Sequence, residues 1–383
     1  MSSRAPLLIA AAVFAACGPP PPPPKQCDTS GHACTWAGMP GVFGFNGDGL
    51  DKLATKLYWT MDMYFASDGT PWLIDWNNHL VRKVQPDGKM KTVVGWVDPV
   101  FPGDGAPGET TAEGAVGIDV QLNHPTDLGQ LSDGTMLVMA WHNHKLRKIA
   151  PGTERVSISC GAGAGFSGDG AMAKTALLKQ PKALQVDAQD NVYILDQQNF
   201  RVRKINATGT ISTIAGNGMK AFGGDNGPAL MASFNLEAGS NPEPSGGLAL
   251  GNGKLYVAET LSHRIRAIDL TTNVITTIAG SGVGGFADGP ALEAQFLNPR
   301  DLEVGPDGRL YVADTDNNRI RAIDLTSGVV STVVGTGEMG LEADDDRLAT
   351  ATKLHRPFGI EFDRDGHLYV SDTINSRILK VAK

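Results

Sequence analysis

One segment recurs along this chain, and its repetition limits the folds that the chain can adopt. GRLYVADTDNNRIRAIDLTSGVVSTVVG, at Gly308–Gly335, closely matches GKLYVAETLSHRIRAIDLTTNVITTIAG at Gly253–Gly280. More divergent copies lie at Gly69–Gly95, Gly134–Gly161, Asp190–Gly216 and, in truncated form, Gly366–Lys383. Six copies in one chain indicate a repeat architecture, in which each unit packs against its neighbours.

Each copy contains short segments with the composition of β-strands. A first segment such as DLEVG leads, in four copies, into an Asp-Gly turn. A second segment such as LYVAD ends on an acidic residue, and segments such as RIRAI and STVVG supply the third and fourth strands. Four short antiparallel strands joined by tight turns are typical of a β-propeller blade.

The repeated strings resemble NHL repeats, and the resemblance extends from about Ala33 to Lys383. It implies an all-β fold, a six-bladed β-propeller with four antiparallel strands in each blade. The last copy stops after its third strand, whereas CTWAG, at Cys34–Gly38, has the pattern of a fourth strand. We therefore expect this N-terminal segment to complete the sixth blade, which closes the ring and removes an open sheet edge.

The first 32 residues differ in composition from the repeats. Residues 1–16 resemble a lipoprotein signal peptide, and the string VFAAC ends at Cys17, the predicted lipidation site. Residues 17–32 contain six consecutive prolines, which would form a stiff tether for a propeller domain at 33–383. We expect a lipid-anchored protein of the bacterial cell envelope, at the outer membrane or cell surface. Plain secretion, with a free thiol at Cys17, is the alternative.

Cysteines and charge add further limits. Cys27 and Cys34 lie close together in an apparently exported chain, so a disulfide between them is expected. The formal net charge is −8, which argues against a nucleic-acid partner. No apolar run reaches the length of a membrane span, so the lipid would be the sole membrane contact. We expect a monomer with a protein or glycan partner in the envelope.

Residues present in most copies are expected to build the blades. An acidic residue ends the second strand at Asp75, Asp196, Glu259, Asp314 and Asp372. An arginine follows seven positions later in most of these copies, so we expect carboxylate–guanidinium pairs within or between blades. A ring of carboxylates that binds a cation is the alternative.

Residues that break the pattern are better functional candidates, and most belong to the first two copies. The turn after the second strand reads DWNNH in one and AWHNH in the other. Three copies have Asp at the start of the first strand, where the others have Ala or Gly. In a propeller these loops open on one face, so we expect convergence at the channel mouth of Asp62, Trp76, His124, Asp127, Trp141, His142, His144 and Asp301.

Such a mixture suits a divalent cation or a small polar ligand. Asp62, Asp127 and Asp301 are the metal candidates, with calcium as the candidate ion, although an aspartate at a strand start can also cap local backbone. Six-bladed relatives of NHL proteins include calcium-dependent lactonases and an amidating lyase with zinc and calcium. The chain has no Ser-His-Asp, metalloprotease or Walker motif. The leading hypothesis is a binding module, and a metal-dependent lactonase or lyase is the alternative.

A second string, GFSGDG at Gly165–Gly170, has counterparts after most fourth strands. A phosphate loop would occur once, before a long helix, and these copies lack that context. We interpret the string as a connection between blades, in which Phe166 is a buried plug and Asp169 caps the short segment that follows. Calcium at Asp169 and its counterparts is the alternative.

Overall fold

Six antiparallel β-sheets follow one another along the chain, one for each repeated segment. The computed structural model describes residues 27–96, 103–240, 242–342 and 345–383. The predicted signal peptide and lipidated Cys17 lie outside these residues, as does most of the tether. Within the described ranges, no helix has both the length and the apolar character needed to cross a bilayer.

In each sheet, or blade, the strands are named a to d from the centre of the ring outward. Blade 1 consists of Thr60–Phe65, Pro71–Asp75, Leu80–Val84 and Met90–Val94, and blade 2 of Pro125–Gln130, Met136–Ala140, Lys145–Ile149 and Arg155–Cys160. Blade 3 consists of Pro181–Val186, Val192–Asp196, Arg201–Ile205 and Ile211–Ala215, and blade 4 of Gly247–Gly251, Lys254–Glu259, Arg264–Asp269 and Val274–Ala279. Blade 5 consists of Pro299–Val304, Leu310–Asp314, Arg319–Asp324 and Val329–Val334, and blade 6 of Pro357–Phe362, Leu368–Asp372, Arg377–Val381 and His32–Ala37.

Short elements lie at the outer edges and turns. Two-residue strands extend the outer edge of four blades, at Ala115–Val116, Gly227–Pro228, Gly289–Pro290 and Arg347–Leu348. A parallel pair joins Gly163–Ala164 to Leu177–Leu178. Single 3-10 turns lie at Trp76–Asn78, Gly117–Asp119, Ala173–Thr175, Gln197–Asn199, Ala229–Met231, Thr260–Ser262, Thr315–Asn317 and Ala349–Ala351.

The ring closes between the two ends of the chain, as the sequence predicts. The N-terminal strand His32–Ala37 pairs antiparallel with Arg377–Val381, and Cys34 lies opposite Lys380. Strand a of blade 1 packs beside strand a of blade 6, so the inner strands form a complete circle. A disulfide bond joins Cys27 to Cys34, whose Cα atoms are 5.8 Å apart. All six blades therefore have four main strands. Among the described residues, the inner strands follow one another around the ring without a gap.

The acidic residue that ends strand b pairs with an arginine on strand c, which confirms the structural interpretation. Asp314 Oδ2 lies 2.8 Å from Arg321 Nη1, and both side chains are fully buried. Asn317 Nδ2 donates to the same carboxylate oxygen at 2.9 Å. Equivalent pairs are Asp75–Arg82, Asp196–Arg203 and Glu259–Arg266, whereas in blade 6 Asp372 pairs with Arg377, at the first position of strand c. These charges are matched inside the blades, so they do not form a one-signed ring for a ligand.

The GDG loops differ from the prediction in two details. Asp169 Oδ1 lies 2.7 Å from Arg203 Nη2, and the 3-10 turn Ala173–Thr175 has no side-chain cap. Phe166 is 42% exposed, and its ring lies 3.9 Å from the guanidinium carbon of Arg201. The predicted cap and the predicted buried plug are therefore wrong. The guanidinium on strand c attracts the carboxylate, and the phenyl ring packs over the cationic side chain instead of entering the core.

Candidate functional site

The innermost strands bring three predicted aspartates into the central channel. Asp62, Asp127 and Asp301 occupy equivalent positions on strand a of blades 1, 2 and 5. A β-bulge interrupts the pairing of strands a and b at the start of each of these strands. Bulges change the direction in which side chains project, and here they accompany three carboxyl groups that face one cavity.

Two glutamates that the sequence analysis missed join this group. Glu303 follows Asp301 by two positions on the same strand, and Glu361 lies at the matching position of blade 6. Residues two apart on a strand share a face, so Glu303 projects toward the channel as Asp301 does. The five carboxyl groups line a cavity of about 270 Å³, together with Tyr64 and Gln185. We call Asp62, Asp127, Asp301, Glu303 and Glu361 the channel carboxyls.

The carboxyl groups of Asp62 and Asp127 line the same cavity and act on each other electrostatically. Burial, followed by the charge of Asp127, raises the pKa of Asp62 well above its usual value. Burial also raises the pKa of Asp127, to about 7. The Asp127 carboxylate accepts main-chain N–H groups of Leu128 and Leu184, each at 2.7 Å, and this favours its charged form. Asp127, with two main-chain donors, is thus the member of the pair that carries a negative charge more readily.

The remaining channel carboxyls also favour their neutral forms. Burial, with the charges of Asp301 and Asp127, raises the pKa of Glu303 to about 8. Burial and the charge of Glu303 raise the pKa of Glu361 well above its usual value. Burial raises the pKa of Asp301, and the charge of Lys182 opposes that rise. The channel is therefore an acidic site whose negative charge depends on pH and on any cation inside it.

A second group of predicted residues forms a cluster of aromatic and imidazole rings. Trp76 and His124 have ring centroids 4.2 Å apart, and Trp141 and His142 lie 4.1 Å apart. The two pairs meet because the centroids of His124 and His142 are 4.9 Å apart. His124 precedes Asp127 by three positions, which corresponds to ~10 Å along an extended strand. The ring cluster therefore lies near the N-terminal ends of the inner strands, and none of its members lines the cavity of the channel carboxyls.

Two further members of the ring cluster were not predicted. Trp59 stacks on Trp76 with centroids 6.1 Å apart, and His79 packs edge-on against His124 at 4.4 Å. Trp59 and His124 are equivalent residues of blades 1 and 2, both just before strand a and both with a positive φ. An alignment of the six copies would have identified Trp59, because it places Trp59 at the same position as His124.

The imidazoles of the ring cluster are neutral near pH 7. Burial lowers the pKa of His124 to about 2, and the neighbouring His79 and His142 add to that effect. Burial is also the main cause that lowers the pKa of His79 and of His142 to about 4. Neutral imidazole nitrogens carry lone pairs, so this cluster can accept hydrogen bonds or ligate a metal.

His144 occupies a different place from the other predicted residues. Its Nδ1 accepts the main-chain N–H of Gln180 at 3.0 Å and so links blade 2 to blade 3. His79 and His263 make the same contact with the following blade, at 3.1 and 3.2 Å. The repetition of this contact indicates that His144 joins blades.

An insertion before strand a of blade 4 lies at the same face. Glu243 of this insertion pairs with Arg300 at 2.5 Å and with Arg356 at 2.7 Å. Gln197 donates to the Glu243 carbonyl oxygen at 3.0 Å and accepts the Trp141 indole N–H at 3.1 Å. The insertion therefore contacts blade 3, blade 5 and the segment before blade 6, and through Gln197 it fixes the ring of Trp141.

On a different turn, between strands a and b of blade 6, Asp363, Asp365 and His367 place one ligand atom each within 4.8 Å of one another. The Asp363 carboxylate accepts main-chain N–H groups of the other two residues, and His367 Nδ1 accepts that of Lys383 at 3.0 Å. These hydrogen bonds stabilise the turn, and they explain why the three side chains lie close together.

Comparisons with known proteins agree with the repeat and the fold. The NHL repeat family model matches residues 296–323. The chain is 25% identical over 325 residues to Protein SUPPRESSOR OF QUENCHING 1, chloroplastic, of Arabidopsis thaliana, which covers 82% of this chain and 29% of that protein. It is 26% identical over 290 residues to human NHL repeat-containing protein 2, which covers 68% of this chain and 38% of that protein. The chain thus spans well under half the length of these curated relatives.

A solved structure shares the architecture at lower sequence identity. An auxiliary nutrient binding protein from Bacteroides thetaiotaomicron superposes with a TM-score of 0.62 at 14% identity, over 91% of this chain and 75% of that chain. At this identity the likeness concerns the fold alone. The matched repeat, the similarity to NHL-repeat proteins and the closed ring of six sheets lead to one conclusion: the chain carries NHL-type repeats and forms a six-bladed β-propeller.

Proposed function

We propose that this protein is a binding module of the cell envelope that takes a small cationic ligand in the channel of its propeller. The observation that carries the proposal is the group of five channel carboxyls around one cavity, with the Lys182 ammonium 3.9 Å from Asp301. Buried carboxyl groups crowded in this way stay protonated unless a positive charge compensates them. A cationic ligand would supply that charge and would exchange the mutual repulsion for attraction.

The ring cluster offers a second surface for the same ligand chemistry. Trp59 and Trp76 are half-buried with stacked rings, and cations bind favourably over the faces of such rings. Trp76 Nε1 is buried and has no hydrogen-bond partner among the described residues. A buried indole N–H without an acceptor is costly, so an acceptor group on the ligand would lower the free energy of the complex.

Location in the envelope is part of the proposal and rests on the sequence. The signal-like residues 1–16, Cys17 and the proline run would place the propeller beside a membrane through a lipid. An auxiliary nutrient binding protein shares the fold, which supports a binding role for this architecture. A nutrient, a glycan or a protein segment that carries a positive charge would each present the required chemistry.

Calorimetric titration with two probes tests the proposal. Calcium chloride and the diamine putrescine each supply positive charge, and they distinguish an inorganic cation from an organic one. We expect saturable binding of at least one probe that tightens from pH 6 to pH 8, because Asp127 ionises in this range. Asp127→Asn should weaken binding at least tenfold, about 1.4 kcal/mol.

The matched control is Asp87→Asn, which removes a carboxylate from an exposed turn between strands c and d of blade 1. This variant should bind both probes as the unmodified protein does. If neither probe binds saturably, or if Asp127→Asn binds as tightly as the control, the channel does not take a cation.

A calcium- or zinc-dependent lactonase or lyase is the second candidate. The carboxyl of Asp127 favours it, because burial raises its pKa to about 7 and a group with such a pKa can donate and accept protons at neutral pH. Hydrolysis of a sugar δ-lactone, followed with and without added calcium or zinc, tests this candidate. A protein that binds neither metal, keeps its stability in chelator and gives no turnover above the uncatalysed rate is not such an enzyme.

A further inference from the structure

We propose that His124, His142 and Asn123 form a binding site for a divalent transition metal, separate from the channel carboxyls. Three possible ligand atoms form a small triangle at the start of strand a of blade 2. His124 Nδ1 lies 2.8 Å from Asn123 Oδ1 and 2.9 Å from His142 Nδ1. The third side, between His142 Nδ1 and Asn123 Oδ1, is 3.3 Å.

Protons satisfy only part of this triangle, because an N–H on His142 Nδ1 can donate to His124 Nδ1 but leaves the contact of His124 Nδ1 with Asn123 Oδ1 without a proton. His124 Nε2 lies 3.2 Å from Asn77 Oδ1, an amide oxygen that can only accept, so His124 carries its proton on Nε2. A neutral imidazole has one N–H, and His124 Nδ1 therefore presents a lone pair to the triangle. Asn123 Oδ1 also presents lone pairs, yet the two atoms are 2.8 Å apart. A positively charged atom bound to both would convert this repulsive contact into two favourable bonds.

The size of the triangle matches metal coordination. Zinc–nitrogen bonds are about 2.0–2.1 Å long. At ~2.1 Å, adjacent ligands of a six-coordinate ion lie ~3.0 Å apart, whereas tetrahedral ligands lie ~3.4 Å apart. The observed sides of 2.8, 2.9 and 3.3 Å correspond to one face of an octahedron. Three coordination positions would remain for water or for groups of a ligand.

The surroundings hold the imidazole rings in place. Asn77 fixes the tautomer of His124, as outer partners commonly do for metal-bound histidines. The ring of His142 stacks on Trp141 at an interplanar angle of 22°, and Trp141 is buried and bonded to Gln197. Two imidazole nitrogens with one amide oxygen favour zinc, nickel or cobalt over calcium or magnesium, which prefer oxygen ligands alone.

Titration of the untagged protein with zinc and nickel chlorides tests the site. We expect one saturable site for each metal, with quenching of tryptophan fluorescence by nickel because Trp76 and Trp141 pack on the two histidines. His142→Ala should reduce zinc affinity at least tenfold. His355→Ala, which removes a histidine before strand a of blade 6, is the matched control and should bind zinc unchanged.

Asn123→Asp separates the metal site from a purely hydrogen-bonded network. A carboxylate is a stronger ligand than an amide oxygen, so this variant should bind zinc more tightly than the unmodified protein. If Asn123 instead used its amide nitrogen to donate to the imidazoles, Asn123→Asp would lower the melting temperature and bind no zinc. Absence of saturable zinc and nickel binding, or equal binding by His142→Ala and the control, would overturn the proposal.

The result of the zinc titration does not depend on whether the channel carboxyls bind a cation. Asp127→Asn should retain zinc binding at the histidines while it weakens the binding of calcium or putrescine. Loss of the zinc signal in that variant, with an unchanged signal in His142→Ala, would assign the metal to the channel and refute the histidine site.

Discussion

Lys182, on the inner strand of blade 3, donates a hydrogen bond to the main-chain carbonyl oxygen of Arg300 on blade 5, with the two atoms 3.0 Å apart. Blade 4 lies between these two blades, and it permits the contact because the residue of its inner strand that faces Arg300 is a glycine, Gly247. A Cβ at Gly247 would lie 2.8 Å from the same carbonyl oxygen and 2.6 Å from Asp301 Cα. The position of the channel ammonium thus depends on the absence of a side chain on the blade between.

Gly247→Ala should destabilise the protein for this reason. The Cβ would meet backbone atoms of blade 5, which cannot rotate away, and overpacking of this kind costs about 1–3 kcal/mol. The free energy of unfolding in urea measures the effect. Gly227→Ala is the control, because its nearest neighbour would be a carbonyl oxygen at an ordinary 3.4 Å. Equal stability of the two variants would show that blade 4 can move away from blade 5.

Glu303→Gln should stabilise the protein increasingly as pH rises. Burial raises the pKa of Glu303 to about 8 in the fold, above the 4.5 of an ordinary glutamate. Between these values the folded state holds a proton that the unfolded state has lost, so stability falls with rising pH by at most about 1.4 kcal/mol per pH unit. Glutamine cannot ionise and avoids this loss. The difference in unfolding free energy between variant and unmodified protein, measured from pH 5 to pH 8, should therefore grow.

The control for this measurement is Glu293→Gln, which changes an exposed glutamate on the connection before blade 5. Its difference from the unmodified protein should stay constant over the same range of pH. A constant difference for Glu303→Gln as well would mean that water reaches this carboxyl and keeps it ionised.

Asp314→Ala should unfold the protein more readily by about 3–5 kcal/mol, because it leaves the buried Arg321 without its inner carboxylate. Asp288, 2.6 Å from Arg321, remains and places the expected value at the lower end of that range. Arg321→Met added to Asp314→Ala should recover part of the loss, since the unpaired charge is then gone. A double-mutant cycle from urea unfolding measures the coupling, and strictly additive effects would contradict the buried pair.

Ala33→Asp should open the seam of the ring. Ala33 is 1% exposed and packs between blades 5 and 6, so a carboxylate there would lose its hydration without gaining a partner. Hydrogen exchange should then lose protection at residues 377–381 before it does so at Val192–Asp196 of blade 3. Uniform loss of protection across all blades would show that the ring opens only as a whole.

The sequence allowed the six blades, the closing strand and the three channel aspartates to be predicted, because comparison of the copies separates what is repeated from what is not. Glu303 could also have been predicted, because it lies two positions after Asp301 and side chains two positions apart on a strand face the same side. Lys182 could not be found in this way, since its role depends on a distance across the ring that Gly247 permits. The role of Asp169 was predicted wrongly because an aspartate in this loop suits two roles. It can cap the segment that follows, or it can pair with an arginine on a distant strand, as it does here.

The strand that completes blade 6 lies at the start of the propeller, and its partner lies at the end. His32–Ala37 emerges from the ribosome more than 340 residues before Arg377–Val381, with which it pairs. Contacts of such long sequence separation form late, because the chain between them must be ordered first. The propeller can therefore be completed only after the strand Arg377–Val381 has been synthesised. Until that strand is made, the last blade lacks its third strand, and the backbone groups of its unpaired edge are open to pairing with another chain.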